Sequence, residues 1–315
     1  MLRATLLLAT VSLLSTPLPG DAGAPAQVLP PVATFKSSVD LVRVAAIVRD
    51  SKGRFVHDLT AQDFEVLDDG RLRPIADFQQ ELPGVSVALL FDVSGSMEGH
   101  LGHAREAADR VLGSLEPRDE AAVFTFDTRL NEISPFQNRL LVLPDAMKTI
   151  VPFGETSLHD AIAQTASRAA RREGLRRAIV VFTDGVDNAS RLKPSDASGI
   201  ASQVDVPVYI VGLVRSIDNP GEETATKSVE RSALTGSLSN LAGWTGGHVF
   251  LASTASQRSE AARQIVDELR HQYLIAIEAS GAPGWHPLQV RARNKDLIVR
   301  ARSGYIAGQS RPMSE

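Results

Sequence analysis

The stretch VSVALLFDVSGS, residues 85–96, decides the fold of this chain. Its first part, through Phe91, is almost unbrokenly apolar and lacks the alternation of a half-exposed strand, which predicts a strand buried on both faces. The apolar run stops at Asp92, and two serines separated by a glycine follow at once. A strand of this kind belongs to a sheet covered by helices, and its polar carboxyl end marks the edge where such sheets bind ligands.

Strands and helices alternate along the chain after this stretch. The predicted strands are Ala121–Phe126, Ala178–Phe182, Val208–Val214 and His248–Leu251. The predicted helices are Leu101–Leu115, Leu140–Ile150, Ser157–Arg172, Ser195–Gln203, Leu238–Trp244 and Ala262–Tyr273. This alternation is typical of a doubly wound, mostly parallel α/β sheet of the Rossmann-like kind. The polar stretch Arg215–Thr235 is interpreted as a long loop or insertion.

The two ends of the chain have a different pattern. The apolar run at residues 41–48 predicts a strand, and residues 64–78 and 288–301 each predict a hairpin. Each end offers only a few strands, and isolated hairpins are marginally stable. We therefore expect residues 33–80 and 286–306 to pair into one small β-sandwich, with the α/β domain inserted between them.

The N-terminus has the pattern of a secretory signal. Arg3 precedes the apolar stretch Ala4–Leu14, and Ala24-Pro25-Ala26 offers a cleavage site of small residues. The alternative, an uncleaved anchor, is disfavoured because the apolar run is shorter than the ~20 residues that a membrane span needs. We expect no transmembrane segment after cleavage. The predicted layout is a signal peptide at 1–26, an N-terminal β module at 27–82, the α/β domain at 83–280 and a C-terminal β hairpin at 281–315 that packs with the N-terminal module.

Composition excludes several functional classes. The net charge is -4 and basic residues are scattered, so no basic stripe indicates nucleic-acid binding. The chain has no cysteine, which excludes disulfides, thiol catalysis and Cys-ligated zinc. Gly221–Ser228 resembles a phosphate loop, but Thr226 stands where the second glycine must be. The common hydrolase and metalloprotease signatures, G-x-S-x-G and H-E-x-x-H, are also absent.

Three polar segments lie where a ligand of such a sheet is expected. The turn Asp92–Ser96 offers a carboxylate and two hydroxyls, and residues 154–158 (GETSL) open a predicted helix. Asp184 follows another buried strand within Thr-Asp-Gly. Oxygen ligands with few carboxylates suit Mg²⁺, and Mn²⁺ equally, whereas Ca²⁺ suits them less because it takes more ligands.

These three segments, in this order and on these elements, resemble the metal ion-dependent adhesion site of von Willebrand factor type A domains. The resemblance covers roughly residues 83–278. It implies that the hydroxyls of Ser94, Ser96 and Thr156 ligate the metal directly. It also implies that Asp92 and Asp184 act through water and supporting hydrogen bonds, and that a protein partner completes the metal's shell with an acidic side chain.

Four flanking segments widen the resemblance. These segments are residues 57–78, 245–247, 269–273 and 300–305. They resemble a family of exported bacterial proteins that are related to the von Willebrand factor type A domain. This similarity implies the compartment and the architecture rather than a substrate. We accordingly expect a periplasmic or extracellular protein.

Simpler interpretations compete at several positions. Turns and helix caps also favour Asp and Ser, but capping does not explain a distant carboxylate at the end of another strand. Ser157 with Asp160 resembles a capping box, and Asp187 is interpreted as a loop carboxylate rather than a ligand. His100 and His103 share a helix face, and they are interpreted as surface histidines because no third zinc ligand is evident.

The leading interpretation is a non-enzymatic, exported module that binds a protein through its metal. One alternative is a metal-dependent hydrolase that activates water at the same site, with Glu98, Glu155 or His159 as the general base. Another is a structural component of an envelope assembly, in which the metal only stabilises the loops.

Overall fold

The computed structural model describes residues 41–80, 84–172, 174–213 and 236–307. The predicted signal peptide and the Arg215–Thr235 segment lie outside these residues, and so do the first residues of the predicted N-terminal module. Within the ranges that are described, no helix is both long and apolar enough to cross a membrane.

Strands and helices alternate through the central part of the chain, and the two ends of the described residues are strands. The strands are β1 (Leu41–Arg49), β2 (Phe64–Asp68), β3 (Arg71–Arg73), β4 (Ile75–Gln79), β5 (Val85–Asp92), β6 (Glu120–Phe126), β7 (Leu130–Asn138), β8 (Arg176–Thr183), β9 (Val208–Leu213), β10 (Val249–Ala252), β11 (Gln272–Glu278), β12 (Gly284–Ala292), β13 (Ile298–Ala301) and β14 (Gly304–Ala307). The helices are α1 (Leu101–Gly113), α2 (Ala146–Thr149), α3 (Leu158–Ala169), α4 (Pro194–Gln203), α5 (236–244) and α6 (Ala255–Arg270).

The centre of the molecule is a six-stranded sheet in the order β10-β9-β8-β5-β6-β7. All its pairs are parallel except β6 with β7. β5 is buried along its whole length: Leu89 and Phe91 face a core that α1 and α6 complete, while Leu90 faces a second core under α3, α4 and α5. The predicted doubly wound, mostly parallel α/β fold is thereby confirmed.

One edge of this sheet differs from the sequence-based prediction. β7 is an added antiparallel strand whose residues are mostly exposed, and it contains Pro135. Proline within a strand is tolerated at a sheet edge, where its missing N–H is not needed for the ladder. An edge strand of this kind has no clear apolar alternation, so the sequence did not predict it. The helix predicted at Leu140–Ile150 shrinks to the single turn of α2.

The terminal strands form two further sheets, in the orders β13-β1-β11-β4 and β14-β12-β2-β3. Apolar side chains from both sheets share one core, which includes Val44, Val66, Ile275 and Val290. The predicted β-sandwich from N- and C-terminal strands is therefore confirmed. It also contains β11, and Tyr273 lies in that strand rather than in the helix where the sequence pattern placed it.

The two predicted hairpins are each wrong in part. β2 does pair with β3 around the Asp68-Asp69-Gly70 turn, but β4 pairs with β11 in the other sheet. The chain changes sheets at Pro74, between Arg73 and Ile75. Likewise β12 pairs with β2 and β14, whereas β13 pairs with β1. Buried and exposed side chains keep alternating where the chain passes from one sheet to the other, so the alternation alone does not reveal the crossing. The exact domain limits stay a prediction.

The start of α3 is capped by a loop distant in sequence, not by its own residues. Ser157 precedes the helix but makes no side-chain cap hydrogen bond, so the predicted capping box is wrong. The Oγ of Ser190 accepts hydrogen bonds from the backbone N–H groups of His159 and Asp160, at 3.0 and 3.2 Å. The Oδ2 of Asp187 accepts from the N–H of His159 at 3.0 Å and lies 2.9 Å from its Nδ1. These bonds hold the loop after β8 against the start of α3.

The Asp187 carboxylate is stabilised in its charged form by this arrangement. Burial by itself raises the pKa of Asp187, but the hydrogen bonds from His159 and Ser190 outweigh burial and hold the pKa well below its usual range. A carboxyl pKa that is depressed on folding stabilises the native state above the pKa of the unfolded chain. That contribution is lost as the pH falls through the folded pKa.

We expect Asp187→Asn to lower the free energy of unfolding by about 1–3 kcal/mol at pH 7, because bonds to a buried charge are lost. The difference from the parent should shrink as the pH falls below about 4, where the carboxyl group of the unfolded chain is protonated. Chemical denaturation at a series of pH values measures this. Asp296→Asn, at an exposed turn position, is the control. A deficit that stays equal at every pH would contradict the charge argument.

A chain ending at Ser280 should lose stability in its N-terminal strands as well. The truncation removes β12, which pairs with β2, and β13, which pairs with β1. β2 and β3 would remain as a two-stranded ribbon, which is marginal in water. Limited proteolysis should then show new cleavage within residues 41–80. Unchanged protection there would mean that the shared sandwich does not hold these strands.

Candidate functional site

Three loops meet at the carboxyl end of the central sheet. β5 and β8 are parallel neighbours in which Phe91 lies beside Phe182. Asp92 and Thr183 therefore leave the sheet side by side. The third loop, residues 150–157, runs into the start of α3. The topology thus brings together segments that are far apart in the sequence.

Asp92 is the buried anchor of the site. Its carboxylate is fully buried, and its Oδ1 accepts hydrogen bonds from the N–H and the hydroxyl of Ser94, at 3.0 and 2.6 Å. Its Oδ2 accepts from the hydroxyl of Thr183 at 2.7 Å. The Oγ of Ser94 lies 3.1 Å from the Oγ of Ser96, which is exposed. A chain of oxygens therefore leads from the buried carboxylate to the surface.

The second loop is attached to the first by backbone hydrogen bonds. The N–H of Gly95 donates to the carbonyl of Gly154, and the N–H of Phe153 donates to the carbonyl of Val93, both at 2.9 Å. These two bonds hold the loop that contains Thr156 against the loop that carries the two serines.

Thr156 is held by its backbone, while its hydroxyl is not used. Its N–H donates to the Oδ1 of Asn188 at 2.8 Å, and its carbonyl accepts from the N–H groups of Asn188 and Ala189, at 3.1 and 2.9 Å. Thr156 is buried, yet its hydroxyl forms no hydrogen bond with any of the described residues. A fixed but unengaged hydroxyl is what a metal ligand requires.

Asp184 adds a second negative charge at this edge. Its Oδ1 accepts from the N–H of Val186 at 3.2 Å, and the side chain is partly buried. Burial raises the pKa of Asp92 to about 6, and the Asp184 charge raises it too, against the opposing hydrogen bonds from Ser94 and Thr183. A bound cation would favour the charged form of Asp92, which burial and the neighbouring Asp184 charge disfavour.

The donors present fit a hard divalent cation. They are oxygen atoms only, from the side chains of Asp92, Ser94, Ser96, Thr156 and Asp184. Direct contacts join the first three of these residues, backbone hydrogen bonds position Thr156, and Asp184 acts on Asp92 through its charge. Mg²⁺ and Mn²⁺ prefer such oxygens.

Sequence reasoning missed two positioning residues. Thr183 belongs to the Thr-Asp-Gly segment, yet its hydroxyl was not recognised as the second support of Asp92. Asn188 fixes the N–H of Thr156 across 32 positions of the chain. No local pattern announces a contact of that kind.

The residues considered as general bases differ from one another in their surroundings. Glu98 and Glu155 are exposed. His159 is partly buried, and its Nδ1 lies 2.9 Å from the Asp187 carboxylate within the cap of α3. The structure thus gives His159 a role in loop packing.

Part of the chain is similar to known proteins. Residues 87–186 match the family model described as the von Willebrand factor type A domain. A curated relative, the thrombospondin-related anonymous protein of Plasmodium falciparum, is 25% identical over 145 residues, which are 41% of this chain and 26% of the relative. The chain thus spans about a quarter of that relative's length.

Two solved structures are also similar. An aerotolerance-related membrane protein of Bacteroides fragilis is 18% identical, with 59% of this chain and 100% of that chain covered and a TM-score of 0.48. A von Willebrand factor type A protein of Catenulispora acidiphila is 14% identical, with 87% and 74% covered and a TM-score of 0.47. The family match, 87–186, includes every candidate ligand from Asp92 to Asp184. Residues 87–186 of this chain are therefore similar to a von Willebrand factor type A domain.

Proposed function

We propose that this protein is a non-enzymatic, adhesion-type binding module that holds Mg²⁺ or Mn²⁺ at Ser94, Ser96 and Thr156 and binds an acidic side chain of a partner protein. The observation that carries the proposal is the buried Asp92 carboxylate, which accepts the Ser94 hydroxyl hydrogen and so fixes the Ser94 oxygen 3.1 Å from that of Ser96. Serine hydroxyls aligned by a buried carboxylate at a sheet's ligand-binding edge form a prepared cation site.

Each part of the chain has a separate task in this proposal. Asp92 fixes Ser94 and is itself fixed by Thr183, while Asn188 fixes the backbone of Thr156. When bound, the cation supplies the positive charge that a partner carboxylate requires. Asp92 and Asp184 retain the cation by charge, while neutral hydroxyls contact it. Neutral ligands leave the cation strongly electropositive toward the partner.

The surroundings of the site add an apolar component to the expected partner surface. Phe153 and Val151 are 82% and 79% exposed, and Val186 is 39% exposed. All three belong to the loops that form the site. The backbone N–H of Phe153 donates a hydrogen bond to the carbonyl of Val93, which directly precedes Ser94. Exposed aromatic side chains beside polar groups are typical of protein interfaces. We therefore propose a partner in which an acidic residue is flanked by apolar ones.

We also propose that the module works outside the cytoplasm, in the periplasm or beyond the cell. The support is the sequence pattern of a charged residue, an apolar stretch and a small-residue cleavage site within residues 3–26. N-terminal sequencing of the exported protein tests this, since cleavage after Ala26 leaves Gln27 as the first residue.

Thr156→Ala should weaken Mn²⁺ binding at least tenfold, measured by calorimetry, because it removes a proposed metal ligand. The described fold does not otherwise use this hydroxyl. Thr156→Ser keeps the hydroxyl and is the matched control, with affinity close to that of the parent. In EDTA the alanine variant should melt within about 5 °C of the parent, since the loss of a buried methyl group and an unbonded hydroxyl costs on the order of 1 kcal/mol. Equal Mn²⁺ affinity in the alanine variant would refute the proposed ligand set.

Peptides displayed on phage and selected on the protein in Mg²⁺, then eluted with EDTA, should be enriched in Asp or Glu next to apolar residues. Changing that acid to its amide should abolish binding. Phe153→Ser should weaken the peptides about fivefold or more, in line with the loss of an exposed aromatic contact, and leave Mn²⁺ affinity unchanged. Leu72→Ser, at a 62% exposed position in β3, is the control. Enrichment of peptides without an acid would contradict the proposal.

A further inference from the structure

A second group of metal-ligating atoms lies in the β-sandwich, outside the matched type A range. Asp68 ends β2, Asp69 begins the turn to β3, and His286 lies in β12. The Nδ1 of His286 is 2.7 Å from the Oδ2 of Asp69 and 3.5 Å from the Oδ1 of Asp68. One ligand atom from each of these residues lies within 4.8 Å of the other two.

Asp68 has a buried oxygen that the protein does not satisfy. The residue is 3% exposed, and its Oδ2 accepts hydrogen bonds from the hydroxyl of Tyr305 at 3.0 Å and from the Nε of Arg73 at 3.2 Å. Its Oδ1 has no hydrogen-bond partner among the described residues and faces the Nδ1 of His286. A buried carboxylate oxygen without a partner is costly, so its position indicates a missing ligand.

The histidine ring is oriented as a metal ligand is. The Nε2 of His286 lies 2.8 Å from the carbonyl of Ala282, which only accepts, so Nε2 carries a hydrogen. The ring also stacks on Tyr305, with centroids 5.1 Å apart. Metal-bound histidines commonly donate their other ring N–H to a backbone carbonyl in this way. Without an ion, Nδ1 donates to the Asp69 carboxylate, and a metal ion would take the place of that proton.

The donor set selects the kind of ion. One imidazole nitrogen with two carboxylate oxygens suits zinc better than magnesium. Zinc bonds of about 2.0–2.2 Å at roughly tetrahedral angles separate ligand atoms by about 3.3–3.6 Å. The 3.5 Å between His286 and Asp68 lies in that range, and the hydrogen-bonded pair of His286 and Asp69, at 2.7 Å, would widen by somewhat under ~1 Å when an ion replaces the proton between them. The Asp69 side chain is 49% exposed, so water can reach the fourth position.

We propose that Asp68, Asp69 and His286 form a Zn²⁺ site that is independent of the adhesion site. The site would join the β2–β3 turn, near the N-terminal end of the chain, to β12 near its C-terminal end. β2 and β12 are paired neighbours in one sheet of the sandwich. The bound ion would therefore stabilise the sandwich from which the type A domain emerges.

The test uses the full chain after a chelator has removed its metal ions. Excess Mg²⁺ is then kept in solution, so that added Zn²⁺ does not titrate the proposed Mg²⁺ site at Ser94, Ser96 and Thr156. Zn²⁺ should bind the parent with one high-affinity equivalent and raise the melting temperature by several degrees. Asp69→Asn, at an exposed turn residue, should bind Zn²⁺ at least tenfold more weakly and lose that gain. Asp58→Asn, an exposed carboxylate in the same part of the chain, should behave like the parent.

Co²⁺ distinguishes this site from stray surface histidines. The visible absorption of nitrogen- and oxygen-bound Co²⁺ should appear in the parent and disappear in His286→Gln. If that buried variant does not fold, Asp69→Asn decides the matter. Equal Zn²⁺ affinity in Asp69→Asn and the parent, or no Zn²⁺ binding by the parent, would overturn the proposal and leave a proton shared between His286 and the carboxylates. Thr156→Ala should retain Zn²⁺ binding, so failure of one site is distinguishable from failure of the other.

Discussion

Asp92 ends the central strand with its carboxylate fully buried and hydrogen-bonded at both oxygens. The rest of the candidate site depends on this group. It sets the direction of the Ser94 hydroxyl, and through Thr183 it joins the ends of two neighbouring parallel strands. Such a buried charge is unfavourable by itself, and the protein retains it at the one edge of the sheet where loops can surround an ion. The fold places the charge, and the charge organises the loops.

The central sheet could be predicted because its strands are buried on both faces and its helices have one apolar face. The length of the apolar runs reveals the buried strands in the sequence, and the helical period of the apolar residues reveals the apolar faces of the helices. The sequence also places Asp92, Ser94, Ser96, Thr156 and Asp184 in short segments at the ends of strands or the start of a helix, as the structure does, while their role as metal ligands stays a prediction. The metal itself and the partner remain proposals, because no sequence pattern or family match identifies them.

What could not be predicted depends on contacts between distant residues. The cap of α3 comes from Asp187 and Ser190, about 30 positions after the helix begins. A local capping pattern at Ser157 and Asp160 is therefore misleading, and Asp160 instead accepts hydrogen bonds from the backbone of that same loop. The chain also passes from one sheet of the sandwich to the other at Pro74 and between β12 and β13. These crossings likewise depend on pairing with strands that are distant in the sequence. Alternation shows which side chains are buried, but not which strand lies next to them.

The way in which the type A domain is attached has a mechanical consequence. The chain enters the domain after β4 and returns through β11, and these strands are antiparallel neighbours, with Gln79 beside Leu274. Both connections therefore leave the sandwich from the same end of one strand pair. A force that pulls the type A domain away from the sandwich along these strands would draw β11 lengthwise against β1, with which it aligns over seven consecutive residues. Hydrogen bonds loaded lengthwise share the force and do not open one by one, so this attachment resists extension along the strands.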